Sequence, residues 1–335
     1  MYHLIRPLLF KMDAEDAHEF IKKSIASLPS TYRFFCRENY SKAQKDLRFT
    51  QKIGDLVCPY PVGIAAGLDK NAEMMDFWRH FPLGQIEVGT VTVRPQEGNP
   101  RPRLFRLKEE QSLLNRMGFN NDGSDIVLER LERYRHRYGW KSGGPLIGVN
   151  IGKNKETSLE AAHREYALLA QKFKGVADYI AINISSPNTS DLRNLQSADY
   201  LENLLEKVKE KAEGKTLLLK ISPDLTLQEV DEIFSLCQRM KVSGIIVTNT
   251  TIIKEVGVGG VSGKMLFERA KIIRQHLLEL NKGNEQFSII GSGGFSKVEE
   301  MKDFWEKGGS LIQLYSALIY EGPGIFEKIR SCMLS

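Results

Sequence analysis

A chain of 335 residues is long for one ordinary domain and short for three, so one large domain with an appendage is expected. Hydrophobic residues make up 41 % and charged residues 27 %, the usual balance of a soluble chain with a sizeable core. Forty-seven Lys and Arg against 42 Asp and Glu leave a net charge of +5, too mild for a charge-driven nucleic-acid binder.

The first forty residues stand apart. Leu4, Ile5, Leu8 and Leu9 form one short apolar stretch. Ala14, Ala17, Ile21, Ile25 and Leu28 then recur at three- and four-residue spacing behind a plausible N-cap at Asp13, and Tyr32, Phe34 and Phe35 follow. Two or three short helices with this much apolar surface need a cover. Pattern alone leaves two open: docking on the rest of the protein, or a membrane surface. No stretch reaches the roughly 18–20 apolar residues of a membrane-spanning helix. Leu8–Phe10 is too short for the apolar region of a signal peptide and runs into Asp13, Glu15 and Asp16, so secretion is not expected.

From about Gly63 the sequence keeps one rhythm, a short β-rich run followed by polar or glycine residues and then an amphipathic stretch. The β-rich runs are Val62–Ala66, Gln85–Val93, Leu146–Ile151, Tyr179–Ile184, Leu217–Ile221, Gly244–Thr248, Ser288–Gly291 and Leu311–Tyr315. Several are almost continuously apolar, which suits parallel strands covered on both faces. Helical patterns lie between them at Ser197–Ala212, Leu225–Arg239, Lys264–Leu280 and Val298–Lys307, with Pro223-Asp224 as start chemistry for the second. The simplest reading is an α/β fold, a (β/α)8 TIM barrel over residues 41–335 with a small helical extension over residues 1–40. A doubly wound sheet is the alternative, but the glycine fingerprint after its first strand is absent. Arg94–Asn121 is too long for a plain βα connection and is expected to be functional. Four scattered cysteines (Cys36, Cys58, Cys237, Cys332) with no CxxC pair argue for reduced thiols and against a zinc site.

Barrel enzymes carry their chemistry at the C-terminal ends of strands, and here those ends are polar. In order they read Ala65-Ala66-Gly67-Leu68-Asp69-Lys70-Asn71, Gly89-Thr90, Gly148-Val149-Asn150, Asn183-Ile184-Ser185-Ser186-Pro187-Asn188-Thr189, Lys220, Thr248-Asn249-Thr250-Thr251, Gly291-Ser292-Gly293-Gly294 and Tyr315-Ser316. Any one of them reads as ordinary turn chemistry; eight together do not. No His/Cys/carboxylate cluster points to metal catalysis, and no metal is expected. No facing acids point to glycoside hydrolysis. Asn115, Asn150, Asn183, Asn188 and Asn249 offer donors and acceptors together, which matches a ligand with alternating C=O and N–H edges. The glycine run suits a phosphate seated on backbone N–H groups. A flat heteroaromatic cofactor with a phosphate tail beside a small amide-bearing acid would use all of these. A non-redox phosphate-binding barrel with Lys220 as a Schiff-base lysine remains a rival of another class.

The segments GIAAGLDKN, EVGTVTVRPQEGNPRPRLFRL, LLNRMGFNN, GVNIGKN, INISSPNTSDLR, LLLKISPD, IIVTNTT, GGVSG, IIGSGGFS and LIQLYSALIYEGP resemble, in order and over nearly the whole chain, the dihydroorotate dehydrogenases. They are most similar to the membrane-associated, quinone-reducing class 2. The resemblance implies bound FMN, oxidation of dihydroorotate to orotate in pyrimidine synthesis, and a membrane quinone as electron acceptor. It implies that FMN is held by Ala66, Gly67, Leu68, Asp69, Lys70, Thr90, Asn150, Asn183, Lys220, Thr248, Gly263, Gly294, Tyr315 and Ser316. Substrate would contact Lys70, Asn115, Arg116, Met117, Gly118, Phe119, Asn183, Asn188, Asn249 and Thr250. Ser186 falls on the position of the catalytic base, with Thr248 or a water as the next proton carrier. The soluble class 1 has a cysteine in that place, and INISSPNTS holds none. His18 and Arg106 would face the quinone.

The resemblance also changes the reading of residues 1–40, which would form an apolar funnel from membrane to flavin while docking on the barrel. Six basic residues against five acidic ones there suggest anchoring by apolar burial rather than charge. The implied location is peripheral, on the cytoplasmic side of the cell membrane, with no obligatory protein partner and a monomeric state. The chain after Phe326 carries no motif.

Overall fold

The computed structural model describes residues 2–27, 47–140, 144–188, 192–196 and 198–334. Two helices open the chain, α1 (Tyr2–Leu9) and α2 (Ala14–Ser27). The Asp13 carboxylate accepts the N–H of Glu15 at 2.8 Å and of Asp16 at 3.3 Å, the helix cap its position suggested. Leu28, Tyr32, Phe34, Phe35 and Cys36, with the boundary at residue 40, lie outside the described residues.

A hairpin, β1 (Gln51–Ile53) and β2 (Leu56–Cys58), precedes the barrel. Its buried Ile53 and Cys58 pack with Tyr179, Ala181, Leu218, Ile246, Ile290 and Leu311, side chains from the barrel interior, and so plug the end where the strands begin. The alternation in those short segments is too brief to have been legible as strands.

Eight parallel strands close the barrel. In chain order they are β3 (Val62–Ile64), β4 (Gln85–Val91), β7 (Leu146–Ile151), β8 (Tyr179–Asn183), β9 (Thr216–Ile221), β10 (Gly244–Val247), β12 (Ser288–Ser292) and β13 (Leu311–Leu314). Each pairs with the next, and β13 returns to β3. The doubly wound alternative is thereby excluded. Most strands stop one or two residues before the apolar pattern does, because Ala65, Ala66, Ile184, Thr248 and Tyr315 already turn into the mouth.

Helices α3 (Met75–Trp78), α4 (Ser124–Tyr138), α5 (Leu159–Phe173), α6 (Ala198–Ala212), α7 (Leu227–Arg239), α8 (Phe267–Leu280), α9 (Val298–Glu306) and α10 (Ser316–Glu321) alternate with the strands, and α11 (Ile325–Leu334) ends the chain. Their apolar faces meet the outer faces of the strands in one continuous core. Helix α7 begins at Leu227 rather than Leu225, because Thr226 forms a capping box with Glu229. Asp224 is occupied elsewhere, accepting from Arg193 at 2.7 Å and pairing with Arg269 at 3.1 Å. The pattern over Lys264–Leu280 divides into a 3-10 turn, Lys264–Leu266, and α8.

The long segment Arg94–Asn121 is built rather than loose. It holds a hairpin, β5 (Leu104–Leu107) and β6 (Ser112–Asn115), to which β11 (Gly260–Gly263) adds a third antiparallel strand. Asn115 pairs with Leu104 on one side and Gly260 on the other, which fixes it over the barrel mouth.

Candidate active site

Register creates the site. Gly89 lies opposite Asn150, and Asn183 opposite Lys220, so adjacent parallel strands deliver their last side chains to one level. There the Thr90 hydroxyl donates to Asn150 Oδ1 at 2.5 Å, and Asn183 Nδ2 donates to Thr90 Oγ1 at 2.8 Å and Asn150 Oδ1 at 3.1 Å. Asn249 Nδ2 continues the chain to Ser185 Oγ at 3.1 Å and Asn183 Oδ1 at 3.3 Å. Linked amides of this kind hold one another's rotamers and leave their remaining donors and acceptors to face a ligand.

One layer deeper, the buried Glu87 anchors the network. Its carboxylate accepts from Gln313 Nε2 at 2.7 Å, Tyr179 OH at 2.9 Å and Asn150 Nδ2 at 2.9 Å. A buried carboxylate is tolerated when donors of this number surround it. Glu87 also acts at a distance on Lys220. Burial pushes the Lys220 ammonium down from its ordinary pKa, and Glu87 works against that. Lys220 is only 5 % exposed, faces the cavity, and has no hydrogen-bond partner among the described residues.

The cavity above has a volume of about 150 Å³. Of the residues singled out in the sequence, Ala66, Gly67, Lys70, Thr90, Asn183, Lys220, Thr248, Gly263, Gly294, Tyr315 and Ser316 line it, as do Asn115, Met117, Gly118, Phe119, Ser186, Asn188, Asn249 and Thr250. The remainder sit elsewhere. Asn150 lies just behind the wall. Asp69 points into its own loop, where it accepts the N–H groups of Glu73 at 2.7 Å and Met74 at 2.9 Å; burial raises its pKa to about 6. Leu68 faces a second cavity, and Arg116 turns outward to the Pro102 carbonyl at 2.9 Å.

Ser186 is nearly buried, and its Oγ accepts the backbone N–H of Asn188 at 3.2 Å. Asn188 Nδ2 in turn reaches Asn115 Oδ1 at 3.0 Å. The Thr248 hydroxyl donates to the Asn249 carbonyl at 2.9 Å. Lys70 contacts Asn120 Oδ1, and burial together with the Arg103 charge pulls its pKa down to about 7. At Gly294 φ is +87°, and an added Cβ would lie 2.4 Å from Phe267 Cα, so only glycine fits that turn. The Ser262 and Ser316 hydroxyls, also on the cavity wall, are 2.8 Å apart.

A second cavity, about 320 Å³, lies between α1, α2 and the barrel mouth. Its lining is almost wholly apolar, from Ile5, Leu9, Phe10 and Ile21 across to Phe77 and Trp78. Leu104, Leu113 and Tyr315 line both cavities and form the wall between them. His18 and Arg106 are among its polar members, with Tyr2 and Ser24. Burial, with Lys70 and Lys22 nearby, lowers the His18 pKa to about 4, so the imidazole is neutral at neutral pH. Arg106 lies 4.8 Å over the Phe10 ring and donates to the Met12 carbonyl at 2.8 Å.

Several contributors were not legible as site residues. Glu87 and Gln313 read as polar interruptions inside apolar strands, a pattern that signals an inward polar group, yet their partners come from distant strands. Asn120 and Arg103 lie in the insertion without any local signal of what they meet.

The fold and this constellation have relatives. The dihydroorotate dehydrogenase family profile matches residues 48–334. A protein named dihydroorotate dehydrogenase (quinone) from Christiangramia forsetii is 40 % identical over 349 residues, covering 99 % of this chain and 98 % of its own. Another so named, from Gloeobacter violaceus, is 41 % identical over 340 residues, covering 98 % and 92 %. The crystal structure of ligand-free DHODH from Eimeria tenella superposes with a TM-score of 0.85 at 31 % identity, covering 95 % of this chain and 93 % of that one. With the family profile spanning most of its length and relatives at this identity from end to end, the chain belongs to the dihydroorotate dehydrogenase family.

Proposed function

We propose that the protein binds FMN at the barrel mouth and oxidises (S)-dihydroorotate to orotate, with a membrane quinone as electron acceptor, in pyrimidine synthesis. The observation that carries the reading is the pair of adjoining cavities. One is lined by amides, hydroxyls and two lysines among its residues, the other almost wholly by apolar side chains, and they share the wall of Leu104, Leu113 and Tyr315. A water-soluble acid and a lipid-soluble quinone need two such pockets on opposite sides of one redox group.

The residues present fit FMN. Lys220 is a buried cation without a partner among the described residues, and Gln313 Oε1 is a buried acceptor without one. Both suit the polar edge of a heteroaromatic ring. The turn at Gly294 brings backbone close to where a phosphate would sit, beside Ser316. When bound, FMN supplies the two-electron acceptor for a hydride from one ring carbon of the substrate. Lys220 would hold positive charge against the ring, where it favours added negative charge.

The chain's own residues do the rest. Lys70 offers its charge to the substrate carboxylate, and Asn115, Asn183, Asn188 and Asn249 match the alternating C=O and N–H groups of the pyrimidine. Ser186 Oγ takes the proton from the adjacent ring carbon as its own hydroxyl proton passes on to Thr248 or a water. A free hydroxyl is a poor base, but the Asn188 N–H donated to Oγ stabilises negative charge as it develops there. Within the N-terminal segment, α1 and α2 wall the quinone funnel and make the peripheral attachment to the cytoplasmic face of the cell membrane, and the barrel works as a monomer. Among the described residues no helix is long and apolar enough to cross a membrane.

The decisive experiment is anaerobic mixing with dihydroorotate followed by a short-chain ubiquinone, watching the flavin absorbance. Bleaching and then recovery are expected. A colourless protein refutes FMN binding; bleaching without recovery refutes the quinone.

A further inference from the structure

The two cavities explain how electrons leave but not how a small anion enters, and a third feature addresses that. A wide vestibule of about 740 Å³ opens on the side of the mouth formed by the insertion and the loop after β10. Arg101, Arg116 and Lys254 line it, together with Pro187, Asn188 and Val258 among others, and no carboxylate among the described residues does. Asn188 lines both the vestibule and the inner cavity, so the two meet at the Asn115–Asn188 amide pair.

We propose that this vestibule is the entry port and encounter site for the anionic pyrimidine acid, drawn in by its uncompensated positive charge. The proposal rests on the dihydroorotate reading. Its three cations differ in what they can give. Arg101 already pairs with Glu15 at 3.1 Å and Asp16 at 3.0 Å, so much of its field is cancelled. Among the described residues the Arg116 side chain meets the Pro102 carbonyl and the face of Phe105, which leave its charge intact. Lys254 is exposed and has no partner among the described residues. A fourth cation joins at the rim, where Lys155 donates to the vestibule residue Asn99 at 3.3 Å. Clefts lined by one sign of charge raise the local concentration of an opposite ion and its association rate, an effect that salt abolishes. The cavity on the other side is lined almost wholly by apolar side chains, with Arg106 engaged by the Phe10 ring and the Met12 carbonyl, which suits an uncharged substrate and keeps the two on separate routes.

The test uses Lys254, which lies outside the catalytic and binding set, in the full-length holoenzyme. Orotate association and dissociation rates are measured by stopped flow from the shift it causes in flavin absorbance. A cation about 10 Å from the path changes association about twofold on removal and about fourfold on reversal at low ionic strength. Lys254→Gln and Lys254→Glu should therefore slow association by those factors, leave dissociation unchanged, and lose the effect in roughly 0.5 M salt. Reoxidation by the uncharged quinone should not change. Association rates equal to wild type at low salt overturn the proposal, as does a change confined to dissociation, which would make Lys254 a contact of the bound ligand. Wild-type flavin that dihydroorotate fails to reduce refutes the parent reading instead, and this one with it.

Discussion

The buried ion pair between Glu15 and Arg103 joins the quinone side to the substrate side, and removing it is the sharpest test of how α2 is held. Glu15 accepts from Arg103 Nη2 at 2.7 Å and from Nε at 3.1 and 3.2 Å, and Arg101 adds a contact at 3.1 Å. Both partners are almost fully buried, at 4 % and 8 % exposure. Breaking such a pair from one side costs about 3–5 kcal/mol, because the other charge is left without compensation. Arg103 keeps two acceptors through Nη1, the carbonyls of Glu97 at 2.5 Å and Asn99 at 2.8 Å, so Glu15→Ala belongs at the lower end, about 3 kcal/mol.

That loss can appear in two places, and the assay separates them. If α2 and the barrel unfold together, the melting temperature falls by about 6 °C, taking ~2 °C per kcal/mol for a chain of this size. If α2 opens locally, the barrel melts as before while α2 amides exchange faster and the quinone KM rises, with flavin reduction by dihydroorotate nearly intact. Acidity should reproduce the effect. Burial alone would raise the Glu15 pKa, but hydrogen bonding and charge from Arg103, with Arg101, outweigh it and hold the carboxyl below the usual range. The pair's contribution is therefore complete above about pH 4.3 and is lost as pH falls through the lower folded value. Wild-type melting, exchange and quinone kinetics in Glu15→Ala would refute the claim that this pair fastens the helix.

The remaining predictions concern the mouth of the barrel. Ser186→Ala should retain FMN yet slow flavin reduction by dihydroorotate about 10²–10⁴-fold, read in single-turnover absorbance; wild-type rates would remove Ser186 as the base. With its pKa lowered to about 7, Lys70 is charged below that pH and increasingly neutral above it, so kcat/KM for dihydroorotate should decline as pH rises through about 7. Orotate binding above that pH should take up a proton, measurable by calorimetry in buffers of different ionisation enthalpy, and Lys70→Met should abolish the uptake. Gly294→Ala, strained at φ +87° and crowded against Phe267, should lower flavin content per protein after purification, with Ser316→Ala having a milder effect.

The barrel was legible because its strands are buried on both faces and so read as short apolar runs at regular intervals, and the mouth was legible because polar residues followed every run. What stayed hidden depends on partners far apart in sequence. Nothing local to Glu87 says that Tyr179, Asn150 and Gln313 converge on it; the barrel must close, bringing β7, β8 and β13 around β4, before its carboxylate has donors. Asp69 shows the reverse case. In sequence it sits beside Lys70 in a polar strand end, but its geometry is taken by two backbone N–H groups of its own loop, so adjacency misplaces it. The pattern in residues 1–40 left docking and membrane contact as alternatives, and α1 and α2 show why a hydrophobic count could not choose. Ile21 and Ile25 turn toward the barrel and the apolar cavity, while Leu4 and Leu8 remain 79 % and 64 % exposed on the opposite surface. One pair of helices presents apolar side chains on two sides, which a helix needs if it both seats on a protein and leans on lipid.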